Sequence, residues 1–394
     1  STMCWHSTLD LYTDDGTHSP NTSTIDFNHS AAVSKSVTIS PGEWGAGDYA
    51  PVYVDVLRAA GSGSYTFFWY TEPDPAYFER VSGADRFEVA QQLEIYTRWP
   101  DDSHVSDVVI ASGDDAAAAD PLAAGGLCWA YNAPLLLVSK TASKNAGTMI
   151  NLADIEGFSG RVRVHVVGGT STIPPTVYNQ IVAAVGSAAD VERIPGANRY
   201  DVARNIALRM RDVRNDHEPG VLFANGADST KFFDALALSA VSAHTGMPVL
   251  LVKKDSIPVE TTDALASMTS TTPRFVAGGT ATVSDAVRSA LGATRWWGSD
   301  RYSTAKDVAD EAITRGYLSS HSVAIASKLP DALSAGADVG FLGGPVLVVK
   351  PDSLPSATKA FLESKAEVTR RLWPVGGPVS IKQSVIDAAA SALD

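Results

Sequence analysis

The sequence is poor in the features that assign a protein to a class at a glance. Its 394 residues include only two cysteines, Cys4 and Cys128, which fit neither a metal cluster nor a disulfide framework. Whether the two are bridged stays open. There is no apolar run of about 18 residues, so we expect no membrane insertion. Basic residues are scarce: 31 Lys and Arg against 44 Asp and Glu give a net charge of −13, which argues against a nucleic-acid partner.

Catalytic and cofactor motifs are missing as well. The sequence has no G-x-S-x-G nucleophile turn, no H-E-x-x-H and no G-K-[ST] phosphate loop. His6, His18 and His29 lie close in sequence but lack the spacing of metal ligands, so surface histidines are the simpler interpretation. We therefore predict no catalytic residue, no metal site and no cofactor.

What the sequence does contain is ample material for buried cores. Apolar residues make up 45% of the chain, with 8 Trp, 12 Tyr and 12 Phe, and the length suggests two to four domains. The low cysteine content and the many Ser, Thr and Gly favour an exported protein. The chain begins at Ser1 without the basic and apolar regions of an export signal, and we expect such a signal to have been removed.

The first 79 residues differ from the rest in charge and in pattern. They hold two basic and ten acidic residues, a net charge of −8. Short stretches of alternating apolar and polar residues at 37–39, 51–56 and 65–70 are bounded by Gly, Pro and Asp, which is typical of antiparallel strands. We predict a small, all-β, sandwich-like domain over residues 1–77.

From residue 78 onward, one unit is repeated three times. Each copy opens with the same phrase, RVSGADRF at 80–87, RIPGANRY at 193–200 and RWWGSDRY at 295–302. A helical stretch follows, then an apolar strand, an Asp that starts a helix, a buried strand, and a third strand that ends in a glycine pair. The apolar strands are 108–111, 221–224 and 323–326, and the aspartates are Asp120, Asp234 and Asp331. The buried strands are 134–138, 248–252 and 345–349, and the glycine pairs are 168–169, 278–279 and 376–377.

The repeated unit predicts an α/β fold. Its strands are continuous Val, Leu and Ile runs separated by helical stretches, as expected for a parallel sheet that is covered on both faces. At about 100 residues, each unit is large enough to hold its own core. We place the modules at residues 78–192, 193–294 and 295–394, and we expect the apolar strands at 135–137, 249–251 and 346–348 to be core.

An arginine recurs in the opening phrase just where a helix is predicted to begin. A cation is unfavourable there because the helix dipole is positive at that end, so something else must favour it. Two explanations stay open: a bidentate pair with a repeated carboxylate, or a contact with phosphate or carboxylate groups of a ligand in a shared cleft. The arginines are Arg86, Arg199 and Arg301, and the candidate carboxylates are Asp120, Asp234 and Asp331.

Local signals also predict helix caps and tight turns. Capping-box spacing is present at Asp85 and Glu88, at Asn198 and Asp201, and at Asp300 and Ser303. Asp120, Asp234 and Asp331 are predicted as N-caps. Backbone N–H groups of the glycine pairs could cradle an anion, but a tight turn explains the pairs as well.

These phrases, in this order, resemble the type 2 cell-wall-binding repeat (CWB2) of Gram-positive surface proteins. The matching elements are G-x-[ND]-R-[YF], D-A-L-x, P-V-L-[LV]-V and G-G-x-x-x-[VI]-S, and the resemblance covers residues 78–394. It implies three Rossmann-like or Toprim-like modules in a pseudo-three-fold arrangement. It also implies an extracellular protein held non-covalently at the cell wall through an anionic polymer, either teichoic-acid-like or a secondary polysaccharide.

The first copy departs from the others in three ways. It has Phe87 where the other copies have Tyr, it has an alanine run at 116–119, and it lacks the phrases DSIP at 255–258 and DSLP at 352–355. We expect the first module to contribute less to ligand contact and more to packing.

An acidic protein that binds an anionic polymer needs local complementarity. Residues 80–394 carry 29 basic and 34 acidic residues, so general attraction cannot drive binding. Clefts where arginines of the opening phrases converge are the natural place for it. Our candidate polymer contacts are Arg80, Arg193, Arg295, Arg86, Arg199, Arg301, Asn198, Tyr200 and Tyr302.

The function predicted from sequence is wall anchoring, with the N-terminal β domain displayed outward as an adhesive or spacing domain that meets a host or surface ligand. A second hypothesis is the non-catalytic part of a cell-wall hydrolase, an amidase or a glycosidase. A nucleotide- or sugar-phosphate-binding protein is a third, disfavoured because the glycine pairs lack the rest of a phosphate fingerprint.

Overall fold

The structure is a computed structural model that describes residues 5–9, 23–27, 77–78, 80–98, 105–214, 219–268 and 272–393. The chain divides into two compact units, Ser1–Pro73 and Asp74–Asp394. In the first unit, β1 (Trp5–Leu9) and β2 (Ser23–Phe27) form an antiparallel pair. The strands predicted at 37–39, 51–56 and 65–70 lie outside the described residues.

The second unit contains three parallel sheets of four strands each, so the α/β prediction is confirmed. All three sheets have the same order, with the first strand of the repeat in second place. The first sheet runs β5 (Leu135–Val138), β4 (Asp107–Ser112), β6 (Arg163–Val167), β7 (Val191–Ile194). The second runs β9 (Val249–Val252), β8 (Val221–Asn225), β10 (Arg274–Ala277), β11 (Thr294–Trp296). The third runs β13 (Val346–Val348), β12 (Ser322–Ala326), β14 (Arg371–Val375), β3 (Tyr77–Phe78).

Helices cover both faces of these sheets, which is why the strands read as unbroken apolar runs. Leu135, Leu136 and Leu137 are at most 1% exposed, so the interpretation of this strand as core is confirmed. The helices are α1 (Arg86–Arg98), α2 (Ala119–Ala123), α3 (Gly125–Tyr131), α4 (Ala146–Ser159), α5 (Pro175–Val185), α6 (Arg199–Val213), α7 (Phe232–Thr245), α8 (Val259–Ala266), α9 (Asp285–Leu291), α10 (Arg301–Thr314), α11 (Leu329–Ala332), α12 (Ala335–Phe341), α13 (Ser356–Lys365) and α14 (Gln383–Ala390).

The fourth strand of each sheet lies at or just before the opening phrase of another repeat. β7 and β11 begin the second and third phrases, yet they pair with β6 and β10 of the preceding repeat. β3, which precedes the first phrase, pairs with β14 of the third repeat. The seam continues at Val81, whose N–H donates to the Pro374 carbonyl at 3.0 Å. The three repeats therefore form a closed cycle, which the sequence pattern did not reveal because these strands are only two to four residues long.

The three repeats meet through α3, α7 and α12, which contact one another. Each opening helix packs against this central helix of the preceding repeat: α6 on α3, α10 on α7, and α1 on α12. Small residues permit the close approach. A Cβ added to Gly336 would lie 1.6 Å from Ser239 Oγ, and one added to Gly125 would lie 2.5 Å from the Ser239 carbonyl. This cyclic packing gives the unit its pseudo-three-fold arrangement.

A charged network fastens β7 to the first sheet. His165 on β6 lies 2.7 Å from Asp107 through Nε2 and 2.7 Å from Glu192 on β7 through Nδ1. Arg163 also reaches Asp107, at 2.7 Å. Burial alone would raise the pKa of Asp107, but the hydrogen bonds from His165 and Arg163 hold that pKa below its usual value. The strand that leads into the second opening phrase is thus held by side chains of β4 and β6.

Candidate functional site

The seams between repeats lie at the carboxyl ends of the strands, where parallel sheets commonly bind ligands. Each seam brings the Asp-led helix and glycine turn of one repeat to the opening phrase of the next. Between the first and second repeats this forms a cavity of 220 Å³. Its lining includes Asp120, Gly169, Ser171, Thr172, Asn198 and Arg199.

The opening phrase ends in the predicted helix cap. The Asp300 side chain accepts from the Ser303 N–H at 2.7 Å, and the reciprocal bond completes a capping box. Asn198 Oδ1 accepts from the N–H groups of Tyr200 and Asp201, and Asp85 caps α1 in the same manner. These caps confirm the predicted N-caps, and each helix begins at the arginine that follows its cap.

The arginine at the start of each phrase fastens the glycine turn of the preceding repeat. Arg193 donates to the carbonyls of Gly168 and Ile173 at 2.9 and 3.0 Å. Arg295 does the same to Gly278 and Val283. Arg80 bonds Gly376 and Ile381 of the third repeat, both at 2.9 Å. We call these three bridges the turn staples. Ligand contact through these arginines stays a prediction.

The second arginine of the phrase points to the end of a strand in its own repeat. Arg86 donates to the Gly113 carbonyl at 2.6 Å, and Arg199 to the Gly226 carbonyl at 2.8 Å. Arg199 also reaches the Ala116 carbonyl across the seam, at 3.4 Å. The Arg301 guanidinium lies 4.6 Å from the centre of the Phe233 ring, likewise across a seam.

The repeated aspartates correct two expectations. They are not N-caps, because the caps are Ala118, Lys231 and Lys328, and the aspartates lie within the first helical turn. Within the described part of the chain, no ion pair joins them to the arginines; Arg86 pairs instead with Asp115 at 2.5 Å. Arg86 and Arg199 are bonded to backbone carbonyls and Arg301 lies over the Phe233 ring. Each carboxylate instead faces a glycine turn. The aspartates are Asp120, Asp234 and Asp331.

Two of these carboxyls are buried without a hydrogen-bonding partner among the described residues. Asp120 is 4% exposed and Asp234 is 6% exposed. Burial raises the pKa of Asp120 to about 7, opposed by the charge of Arg199. Burial raises the pKa of Asp234 to about 6, opposed by Lys231 and Arg301. Asp331 differs because it accepts a hydrogen bond from the Ser380 hydroxyl.

The glycine pairs make tight turns against these aspartates. The first glycine of each pair has a positive φ, 118° at Gly168, 99° at Gly278 and 122° at Gly376, a region that favours glycine. A Cβ on Gly278 would lie 2.5 Å from Asp234 Oδ2. The turn and close packing therefore account for the pairs.

Two lysines that the sequence analysis did not single out lie beside the predicted tyrosines. Lys253 Nζ is 5.7 Å from the centre of the Tyr200 ring, and Lys350 Nζ is 5.9 Å from that of Tyr302. Lys253 directly follows the buried strand β9, and Lys350 lies two residues after the end of β13. The sequence signal that could have identified these lysines is that they occupy equivalent positions in the second and third repeats. The first repeat has Phe87 and Ser139 at these two places.

Other site classes find no support in the described residues. No cluster of three or more His, Cys, Asp or Glu in that part of the chain could hold a metal ion. None of the helices described there is both long and apolar enough to cross a membrane.

Two relatives of this chain are named as an amidase and as an amidase enhancer. It is 29% identical over 259 residues to the N-acetylmuramoyl-L-alanine amidase LytC of Bacillus subtilis (strain 168), covering 65% of this chain and 47% of that protein. It is 26% identical over 310 residues to the amidase enhancer of the same organism, covering 76% and 38%. The chain thus spans less than half the length of these two relatives.

Solved structures share the fold. Cwp6 from Clostridium difficile matches with a TM-score of 0.71 at 22% identity, covering 99% of this chain and 63% of that one. Cwp8 from the same organism matches with a TM-score of 0.64 at 20% identity, covering 80% and 51%. The family model of cell wall binding domain 2 matches residues 80–178, 193–288 and 295–386. The chain therefore belongs to the CWB2 family of Gram-positive cell-wall-binding repeats and is a protein of the cell wall surface.

Proposed function

We propose that the three repeats anchor this protein non-covalently to an anionic wall polymer, which is held in the clefts at the seams. Residues 1–77 are then the part displayed outward. The observation that carries this proposal is the cavity between the first and second repeats. It combines a guanidinium, hydroxyls and an amide, which are the groups that bind phosphate and sugar oxygens.

Local charge supports this choice over general attraction. The repeats are acidic overall, yet Arg199 and Arg301 each lie at a seam. Lys253 and Lys350 add two more cations, beside Tyr200 and Tyr302. Only part of the Arg199 fork is bonded to carbonyls, so further N–H groups can donate to a polymer oxygen. Several weak sites on one rigid unit would reinforce one another along a long polymer.

The test is co-sedimentation of the full chain with Gram-positive cell walls, before and after hydrofluoric acid removes the anionic polymers. We expect binding to the intact wall that disappears on stripping. The double variant R199Q/R301Q should weaken binding by about tenfold, since charge-assisted hydrogen bonds contribute about 1.5–3 kcal/mol. The matched control is K359Q, which removes an exposed cation from α13 and should change nothing.

Two results would contradict the proposal. Binding that survives stripping would transfer the ligand to peptidoglycan. Equal losses in R199Q/R301Q and K359Q would show that the clefts are not the binding sites.

A second candidate function is the non-catalytic part of a wall hydrolase. Its support is the likeness to a protein named as an amidase, of which this chain spans 47%. On this proposal the chain itself contributes no catalysis. Incubating it with purified peptidoglycan and measuring released reducing ends and amino groups tests the point, and release above the level of a heat-denatured sample would contradict it.

A further inference from the structure

Two adjacent tryptophans at the start of the third repeat have opposite environments. Trp296 ends β11, is 0% exposed and stacks on Phe275 with ring centres 4.3 Å apart. Trp297 is 53% exposed. The alternation of a strand explains the first residue, since it points into the core. It leaves the second as a large apolar side chain facing solvent.

The fold does not require an indole at this place. The corresponding residues of the first and second repeats are Ser82 and Pro195, and those repeats build the same seam. The backbone N–H of Trp297 donates to Asp307 Oδ2 at 2.7 Å, a bond that does not depend on the side chain. Some property other than folding must therefore account for an exposed tryptophan here.

The indole is seated on a glycine. A Cβ added to Gly279 would lie 3.3 Å from Trp297 Cε3, so the ring rests on the backbone of the glycine turn in the second repeat. That turn borders the seam of Asp234 and Arg301. One side of the ring is thus supported, while half of the side chain stays open to solvent.

Among the described residues, no aromatic ring rests on the equivalent glycine at the other two seams. A Cβ on Gly169, the equivalent of Gly279, would meet the Gly196 carbonyl at 2.9 Å, and one on Gly377 would meet nothing within 4 Å. At the third seam, Val379 is 80% exposed, but its side chain is small and has no aromatic face. The seam between the second and third repeats is therefore chemically distinct.

We propose that Trp297 is a stacking platform for a sugar ring of the wall polymer, at the rim of the seam between the second and third repeats. This inference rests on the proposed anchoring function. A pyranose presents a flat face of C–H groups, which suits the electron-rich face of an indole. An aromatic ring with two rotatable bonds also loses little entropy on binding. A polymer of glycerol phosphate alone has no ring to offer.

The first experiment compares wall co-sedimentation of the full chain with W297S, W297F and V379S. W297S installs the residue of the first repeat, and its thermal melt checks that the fold is kept. We expect W297S to weaken binding by about fivefold, in line with about 1 kcal/mol for one aromatic contact. W297F and V379S should stay within about twofold of the parent. Unchanged binding by W297S, or an equal loss in V379S, would overturn the inference while leaving the anchor intact.

The second experiment addresses the sugar directly. The full chain labelled with 5-fluorotryptophan is titrated with N,N′-diacetylchitobiose and, separately, with glycerol phosphate, and W297F assigns the fluorine signal of Trp297. We expect the disaccharide to move that signal and glycerol phosphate to leave it in place. A shift without any wall binding would refute the anchor but support the platform. No shift with the disaccharide would refute the platform.

Discussion

At the scale of single residues, the unusual group is the buried carboxyl of Asp120. Its neighbours are a glycine turn and the opening arginine of the next repeat, and none of the described residues bonds to it. An isolated carboxylate is costly to bury, so the folded protein favours the neutral acid, and burial raises the pKa of Asp120 to about 7. A carboxyl of the unfolded chain has a pKa near 3.9.

This difference makes stability depend on pH. Between about pH 4 and 7 the folded protein holds a proton that the unfolded chain has lost. The contribution of Asp120 to the free energy of unfolding is therefore largest below pH 4 and declines as the pH rises from about 4 to 7. We expect D120N to remove the decline and to raise the free energy of unfolding at pH 8 by roughly 2–4 kcal/mol.

Urea denaturation at pH 5 and pH 8 measures this effect. The control is D154N, which changes an exposed aspartate on α4 and should leave the pH dependence as it is. A D120N variant with the same decline as the parent would show that folding does not raise the pKa of this carboxyl.

At the scale of elements, the turn staples explain why an arginine opens each phrase. Each guanidinium bridges two carbonyls that are five residues apart in the turn of another repeat. Lysine cannot form this fork, because its ammonium is a compact charge on a flexible stem. We expect R193K to lower the free energy of unfolding by about 1–2 kcal/mol.

Thermal or urea unfolding checks this prediction, with R371K as the control, since Arg371 is exposed on β14. If R193K and R371K have the same free energy of unfolding, a single positive charge stabilises the turn as well as the bridging guanidinium does.

Much of each repeat could be predicted from sequence, and the reasons are local. Strands such as β5 and helix caps such as Asp300 depend on nearby residues. The fourth strands were missed because Val191–Ile194 gains its partner from another part of the chain. Helix-start signals predict the repeated aspartates as caps, because such signals do not show that Asp120 faces Gly168. The lysine that faces Tyr200 follows a strand whose position only the folded repeat reveals.

At the scale of the whole described unit, the three central helices pack so closely that only small residues fit where they meet. Gly336 sits against Ser239 with no room for a methyl group. We expect G336A to lower the free energy of unfolding by about 1–3 kcal/mol, because a packed interior accommodates added volume poorly. The matched control is G157A on α4, where a Cβ would meet nothing within 4 Å and alanine is the better helix former.

Urea unfolding of the two alanine variants provides the comparison. G157A should equal or exceed the parent in stability. A G336A variant as stable as G157A would mean that the helices can separate at little cost.

The closed cycle of strands has a consequence for how such a chain can be cut and joined. Because the third sheet takes its last strand from the segment before the first repeat, no repeat is first or last in the folded unit. Arg80 bonds the Gln383 side chain beside the final helix, so the two ends of the cycle are neighbours. Circular permutants opened between repeats should therefore fold, whereas a chain with two or four repeats would leave a sheet unfinished. A single repeat, lending its opening strand to the next copy, would by the same logic assemble as a three-fold symmetric homotrimer.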